Sequence, residues 1–344
     1  MGKTFKYSVG PWNLHQGADM FGPPVRPDVE FGRKLELFKE IGFDALQLHD
    51  DDAVPDLNNF SGRELAEQAR KLKHLMDETG LVVEFIAPRL WEDPETRDGA
   101  YTANREKQRN YAMERTKKAL EIADILGTRN IVLWLAREGN FVPESKDAVK
   151  GVERIVEAVN SILDHNKSVR VLFEPKPNEP VDKSFVPTVG HALALACLTK
   201  DPDRVGVLIE SAHSILAGLD PSDDMAFALA HKKLWGVHLN DQNGLKFDQD
   251  RPFGSVNLRS AFNQVRVLIE NGFGRNGEYV GVDVKALRTQ DAAAAHKHLR
   301  HSLEAVEWMA QKAKSLNMEF VEARRQDLDF EALDRYMIKH LLGI

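Results

Sequence analysis

The sequence predicts an α/β chain: a (β/α)8 TIM barrel with a C-terminal helical extension. Three observations predict it. Short apolar runs of strand type alternate with longer helical patterns along the chain. There are eight such runs, each followed by helix, which is the count of a closed barrel. Ionisable residues recur just past the ends of these runs, where a barrel of this kind carries its chemistry. A doubly wound open sheet is the competing architecture, but it gives no particular reason for eight units.

The strand-type runs lie at 6–9, 45–48, 82–86, 131–134, 171–173, 205–209, 235–239 and 279–282. Helical patterns between them include 30–41, 62–79, 104–126, 148–165 and 257–271, with Ser61 placed to cap the second. No fixed-period repeat or low-complexity linker breaks the series, so 1–288 is expected to form one catalytic barrel. Residues 289–344 stay helical beyond what closure requires. They are expected to supply the last barrel helix and a tail that contacts a second subunit.

Composition excludes several classes. Of the 344 residues, 42% are hydrophobic and 29% charged, ordinary values for a globular protein with a sizeable core. A net charge of -7 without any basic run argues against a nucleic-acid partner. No apolar run approaches the roughly 18 residues of a membrane span. The opening MGKTFKYSVG lacks a secretion signal, so a cytoplasmic location without membrane contact is expected. The single cysteine, Cys197, cannot form an internal disulfide; in HALALACLTK it is read as a small buried hydrophobe on a helix face.

The run ends carry the candidate chemistry. The second ends in His49-Asp50-Asp51-Asp52, and the fourth ends at Trp134 and leads to Arg137 and Glu138. The fifth ends in Glu174, with Lys176 and Glu179 beyond it; the sixth ends in Glu210, with His213 three residues on. The seventh presents His238, Asn240 and Asp241, then Asp248 and Asp250, and the eighth ends in Asp283 and Lys285. One polar strand end means little, because loops are polar anyway. Five ends supplying carboxylate, imidazole or amine together point to a divalent metal centre. Plainer roles are expected for the rest. His191 caps or packs a helix, and Asp50 and Asp51 belong to a solvated turn. Arg137, Glu138 and Glu179 orient neighbours. Lys285 either holds Asp283 or makes an ordinary surface pair, and Trp235 and Phe253 pack.

Longer segments carry a resemblance. FEPKPNEP at 173–180, LHDDDAVP at 48–55, VLWLAREG at 132–139 and LKFDQDRPFG at 245–254 resemble the signature segments of xylose isomerases of the shorter, actinobacterial class. PTVGHALA at 187–194 and DVKALRTQD at 283–291 match in the same order, so the resemblance spans the barrel. It implies an aldose–ketose isomerase, typically acting on D-xylose by a metal-assisted 1,2-hydride shift after ring opening, with two divalent ions (Mg2+, Mn2+ or Co2+). By the matched positions, Glu174, Glu210 and Asp283 would hold a structural metal. Glu210 would bridge to a catalytic metal held also by His213, Asp248 and Asp250. Lys176 would bond the carbonyl oxygen, His49 and Asp52 would assist ring opening, and Trp12 and Trp134 would wall the sugar. No organic cofactor is implied. Phe21 would reach a neighbouring subunit's site, which makes a homo-oligomer expected: a tetramer, or a dimer given the shortened tail.

Two positions depart from that pattern. Where xylose isomerases place an aspartate as fourth ligand of the structural metal, ungapped alignment puts His238, with Asp241 three residues on as the rival. Rhamnose isomerase-like enzymes and epimerases of this barrel type use histidine there. An imidazole removes one negative charge and adds a nitrogen donor, which favours Mn2+ or Co2+ over Mg2+. Thr96 stands where the family has a pocket phenylalanine, with Trp91 nearby as a substitute wall. The preferred sugar is therefore open. Another sugar isomerase or a ketose epimerase is the alternative reading, and a non-enzymatic sugar-binding barrel the least favoured.

Overall fold

The computed structural model describes residues 2–245 and 247–344, so Lys246 of the LKFDQDRPFG segment lies outside them. Eight parallel strands close into a barrel: β1 (Tyr7–Val9), β2 (Ala45–His49), β3 (Val82–Ala87), β4 (Asn130–Trp134), β5 (Arg170–Glu174), β6 (Val205–Glu210), β7 (Leu234–Leu239) and β8 (Val280–Val282). Each pairs with its sequence neighbours, and β1 closes the ring on β8 with Tyr7 opposite Val280. The (β/α)8 expectation holds; the open sheet does not, because closure removes both edges.

The strands read as near-continuous apolar runs because both faces are covered. Outside, Leu35 and Phe38 of helix Phe31–Ile41, Leu65 and Met76 of Gly62–Thr79, and Ile155 and Val159 of Ala148–His165 are buried against them. Each such side chain contributes roughly 1.5–3 kcal/mol on leaving water. Inside, Phe85, Ala87, Val132, Leu172 and Leu208 form a separate small cluster. Gly281 is required in β8, since a Cβ there would collide with the Gln47 amide and the Val237 carbonyl. Ser61 does flank its helix, but its side chain makes no capping bond.

Cys197 departs from expectation: it is exposed. In Val189–Leu198 the buried positions are Val189, Ala192, Leu193, Leu195 and Ala196, and the helical period turns residue 197 outward. After β8, Lys297–Lys314 packs on Leu258–Glu270, and two further helices follow, Met318–Gln326 and Phe330–Leu342. Lys312 Nζ donates to the His340 carbonyl at 2.7 Å, tying the last helix back to the barrel layer. Among the described residues no helix is long and apolar enough to cross a membrane.

Candidate active site

Strand register explains how distant residues converge. Trp134 lies opposite Glu174 and Glu210 opposite His238, which aligns the end of β4 with that of β5 and the end of β6 with that of β7. A cavity of about 420 Å³ opens there, lined by Trp12, His49, Trp134, Glu174, Lys176, Glu210, His213, His238, Asp248, Asp250 and Asp283, among others. The residues singled out by sequence thus share one pocket, of a size suited to a small ligand. Asp52 stands behind His49, at 3.0 Å from its Nδ1.

Three overlapping sets of ligand atoms lie within 4.8 Å of one another, and all contain Glu210: with Glu174 and His213, with His238 and Asp283, and with Asp248 and Asp250. His238 Nδ1 is 3.3 Å from Glu174, 3.5 Å from Glu210 and 4.0 Å from Asp283. His213 Nε2 is 3.3 Å from Glu210 and 3.0 Å from Asp248. Asp241, the rival to His238, turns away. Its carboxylate accepts the backbone N–H groups of Gln242, Val256 and Asn257, fixing the loop after β7.

The electrostatics are those of a site short of positive charge. Burial and then repulsion from Asp248 and Asp283, partly offset by His213, raise the Glu210 carboxyl well above its usual range. Burial and Asp248 do the same to Asp250. Asp248 goes the other way, because Lys176 and His213 outweigh its burial. Burial disfavours a charged His238, yet Glu174, Glu210 and Asp283 hold its proton affinity well above the usual value. Both His238 ring nitrogens, His213 Nδ1, Asp248 Oδ1 and Asp283 Oδ1 are buried without a hydrogen-bond partner. Buried donors and acceptors are seldom left unpaired. Oxygen and imidazole atoms left so, in a pocket rich in carboxylate, fit divalent cations.

Lys176 Nζ lies 2.8 Å from Asp248 and 3.1 Å from Glu179, and 5.2 Å from the centre of the Trp134 ring. Lys285 pairs with Asp250, not with Asp283, and also bonds its carbonyl through the backbone at 2.7 Å. That contact supports Asp250 at φ 44, a left-handed value uncommon outside glycine.

A family model described as xylose isomerase-like TIM barrel matches residues 35–267. The chain belongs to that family. Similar solved structures include an L-ribulose 3-epimerase (TM-score 0.64, 15% identity, covering 93% of this chain and 99% of that one). A D-psicose 3-epimerase from Clostridium cellulolyticum H10 matches with TM-score 0.62 and 15% identity over 88% and 98%. A xylose isomerase domain protein from Alicyclobacillus acidocaldarius subsp. acidocaldarius matches with TM-score 0.62 and 16% identity over 90% and 99%. At these identities the likeness establishes fold. Several of the similar structures bear epimerase names.

Within this xylose isomerase-like barrel, several residues exceed what the sequence reading gave them. Trp91 lines the cavity, edge-on to Trp134 at 4.4 Å and to His49 at 5.2 Å, while Thr96 is fully buried and does not line it. Arg137 donates from Nε to the Trp91 carbonyl at 2.5 Å and so holds this wall. Asn240 Nδ2 bonds Glu210 at 2.9 Å and Asp250 at 3.2 Å, fixing a carboxylate from each cation set. Asp50 and Asp51 are no solvated turn: Asp50 is buried and takes two bonds from Arg115, and Asp51 pairs with Arg115 and Arg89. Glu138 is buried and accepts the N–H groups of Ala100, Tyr101 and Thr102. His191 contacts Thr188 at 2.8 Å, at the start of its helix and outside the cavity. Arg89, which the sequence reading passed over, also lines the cavity. An arginine two residues past a strand of this kind was the signal available.

Proposed function

We propose that this chain is an aldose–ketose isomerase acting on a monosaccharide with two divalent ions per subunit. One observation carries the reading: three overlapping ligand sets share Glu210, and Lys176 stands between Asp248 and the Trp134 wall. Glu174, Glu210, His238 and Asp283 would hold one ion; Glu210, His213, Asp248 and Asp250 the other. Such ions polarise a carbonyl and the neighbouring hydroxyl when bound. Lys176, kept protonated by Asp248 and Glu179 against its burial, offers a charged N–H to an oxygen gaining negative charge. Trp134 and Trp91 keep water from the sugar carbons, which favours hydride migration over exchange. His49 would face the ring oxygen of the cyclic sugar, with Trp12, 4.4 Å away between ring centres, packed against the imidazole. D-xylose is the first substrate to test, with Mn2+ or Co2+ preferred to Mg2+. Phe21, 89% exposed, is proposed to reach the cavity of a second copy in a homo-oligomer.

The second reading, ketose 3-epimerisation, is favoured by His238 in the first set and by the epimerase names among similar structures. It would use Glu174 and Asp283 as the acid–base pair. Incubating the metal-loaded protein with C2-deuterated aldoses and with ketohexoses separates the two. Ketose retaining the label supports the isomerase. A C3 epimer carrying solvent deuterium supports the epimerase. No conversion of any sugar with Mn2+, Co2+ or Mg2+ removes both.

A further inference from the structure

We propose that Arg89 selects the tautomer of His49, holding Nδ1 as an acceptor so that Nε2 carries the ring proton. The inference builds on the proposed role of His49 at the sugar ring and changes what that role is. His49 Nδ1 has two neighbours with opposite demands. Asp52 Oδ2, at 3.0 Å, requires a proton on that nitrogen; Arg89 Nη2, at 2.8 Å, requires a lone pair. A guanidinium has donors only and stays charged, so it cannot adapt to the nitrogen. One ring nitrogen satisfies one of them.

Other bonds decide between the two. Asp52 Oδ2 already accepts the His49 backbone N–H at 3.0 Å, and Oδ1 faces Arg89 Nη2 at 3.4 Å. Its carboxylate therefore has donors other than the imidazole, the His49 backbone N–H and Arg89. Were Nδ1 protonated instead, two N–H groups would confront each other at 2.8 Å. Arg89 is also firmly placed. Nε bonds Asp51 at 2.8 Å, Nη1 bonds Glu92 at 3.0 Å, and its backbone N–H bonds Asp50 Oδ1 at 3.1 Å. Arg115 in turn holds Asp50 and Asp51. The other groups against the imidazole, Trp12 and Trp91, are uncharged. His49, Asp51 and Asp52 could by themselves hold a cation, but the guanidinium pairs with both carboxylates and so supplies that charge.

With Nδ1 taken, the imidazole presents an N–H on the ring edge away from Arg89. His49 then grips a sugar oxygen by donating a hydrogen bond and does not remove a proton from the anomeric hydroxyl. Arg89 is thus a positioning residue acting through His49.

The test is 15N–1H NMR of the histidine-labelled, full-length protein without paramagnetic metal, with His49→Gln to assign the signals. The wild-type spectrum should show Nε2–H with unprotonated Nδ1 at His49. In Arg89→Met the proton should move to Nδ1, facing Asp52, and in Arg89→Lys, which keeps a donor, it should stay on Nε2. A wild-type Nδ1–H signal, or the same tautomer in Arg89→Met, overturns the proposal. If Arg89→Met fails to fold, the wild-type spectrum alone decides. The readout needs no turnover, so a protein converting no sugar would remove the isomerase reading and leave the tautomer result standing.

Discussion

The two proposed cation sets of this barrel are built on different supports. Glu174, Glu210 and His238 are within the final residues of β5, β6 and β7, and Asp283 directly follows β8. Strand ends in a closed barrel have little freedom, so this set is rigid. His213 instead sits on the short helix Ser211–Leu216, and Asp248 and Asp250 on the loop after β7. The second set also has internal counter-charges, Lys176 on Asp248 and Lys285 on Asp250. Among the described residues the carboxylates of the first set make ion pairs only with histidines. Both sets hold buried ligand atoms without a hydrogen-bond partner, but only in the second must an added ion compete with lysines already paired to its carboxylates. Metal titration should therefore resolve a tight class at the His238 set and a weaker one at the Asp248 set.

The largest effect should follow from removing what the sets share. Glu210→Gln takes a bridging charge from both, and activity should fall by about 10³-fold or more, as loss of an essential electrostatic group does. Bound Mn2+ by elemental analysis should drop below two per subunit. Two ions retained at wild-type affinity would mean that the sets are independent, against the shared geometry.

Lys176→Met separates catalysis from ion binding. It removes the competitor of the second set, so the weak class should tighten while kcat falls by about 10²-fold. Calorimetric titration with Mn2+ and initial rates on the same protein check both. Joint weakening of binding and rate would show that Lys176 supports the site and does not compete for Asp248.

His238→Asp acts on the first set alone. Wild-type activity restored by Mn2+ or Co2+ should exceed that by Mg2+ by about tenfold, since imidazole suits the softer ions. The aspartate should narrow that ratio toward one. Equal activation of the wild type by all three, at matched occupancy, would deny the imidazole its influence.

Much of this contrast was legible in the chain. Short apolar runs between helical patterns placed all eight strands, with the helices at 62–79 and 148–165 matching residue for residue. Ligand types at strand ends marked Glu174, Glu210, His238 and Asp283 because strand ends are few and all face one mouth. What stayed hidden depends on side-chain direction across loops. Lys285 is two residues from Asp283 yet pairs with Asp250, because the loop after β7 folds back onto the barrel mouth. Arg89 reaches His49 across forty positions, and Trp91 outranks Thr96 as a wall through a short 3-10 turn at Pro94–Thr96 that buries the threonine. Cys197 sits among apolar neighbours, yet its helical phase turns it outward.

The last expected effect concerns stability, through the scaffold under the first set. Asn13 Oδ1 accepts the Val284 N–H at 2.7 Å, next to Asp283, and His298 Nε2 donates to the Asn13 carbonyl at 2.9 Å. Burial pushes His298 down to about 4, although the backbone around it partly resists. The unfolded chain, with an ordinary histidine near 6.5, therefore binds a proton that the folded one refuses. The support is complete above that ordinary value. It is lost progressively as pH falls toward the folded value, by a total on the order of 3 kcal/mol. Chemical denaturation of the metal-free protein between these limits should show stability declining with acid. His298→Gln should flatten that decline, because glutamine can still donate to Asn13 and has no proton to gain. An undiminished slope in the variant would place the acid sensitivity in the carboxylate sets at the barrel mouth.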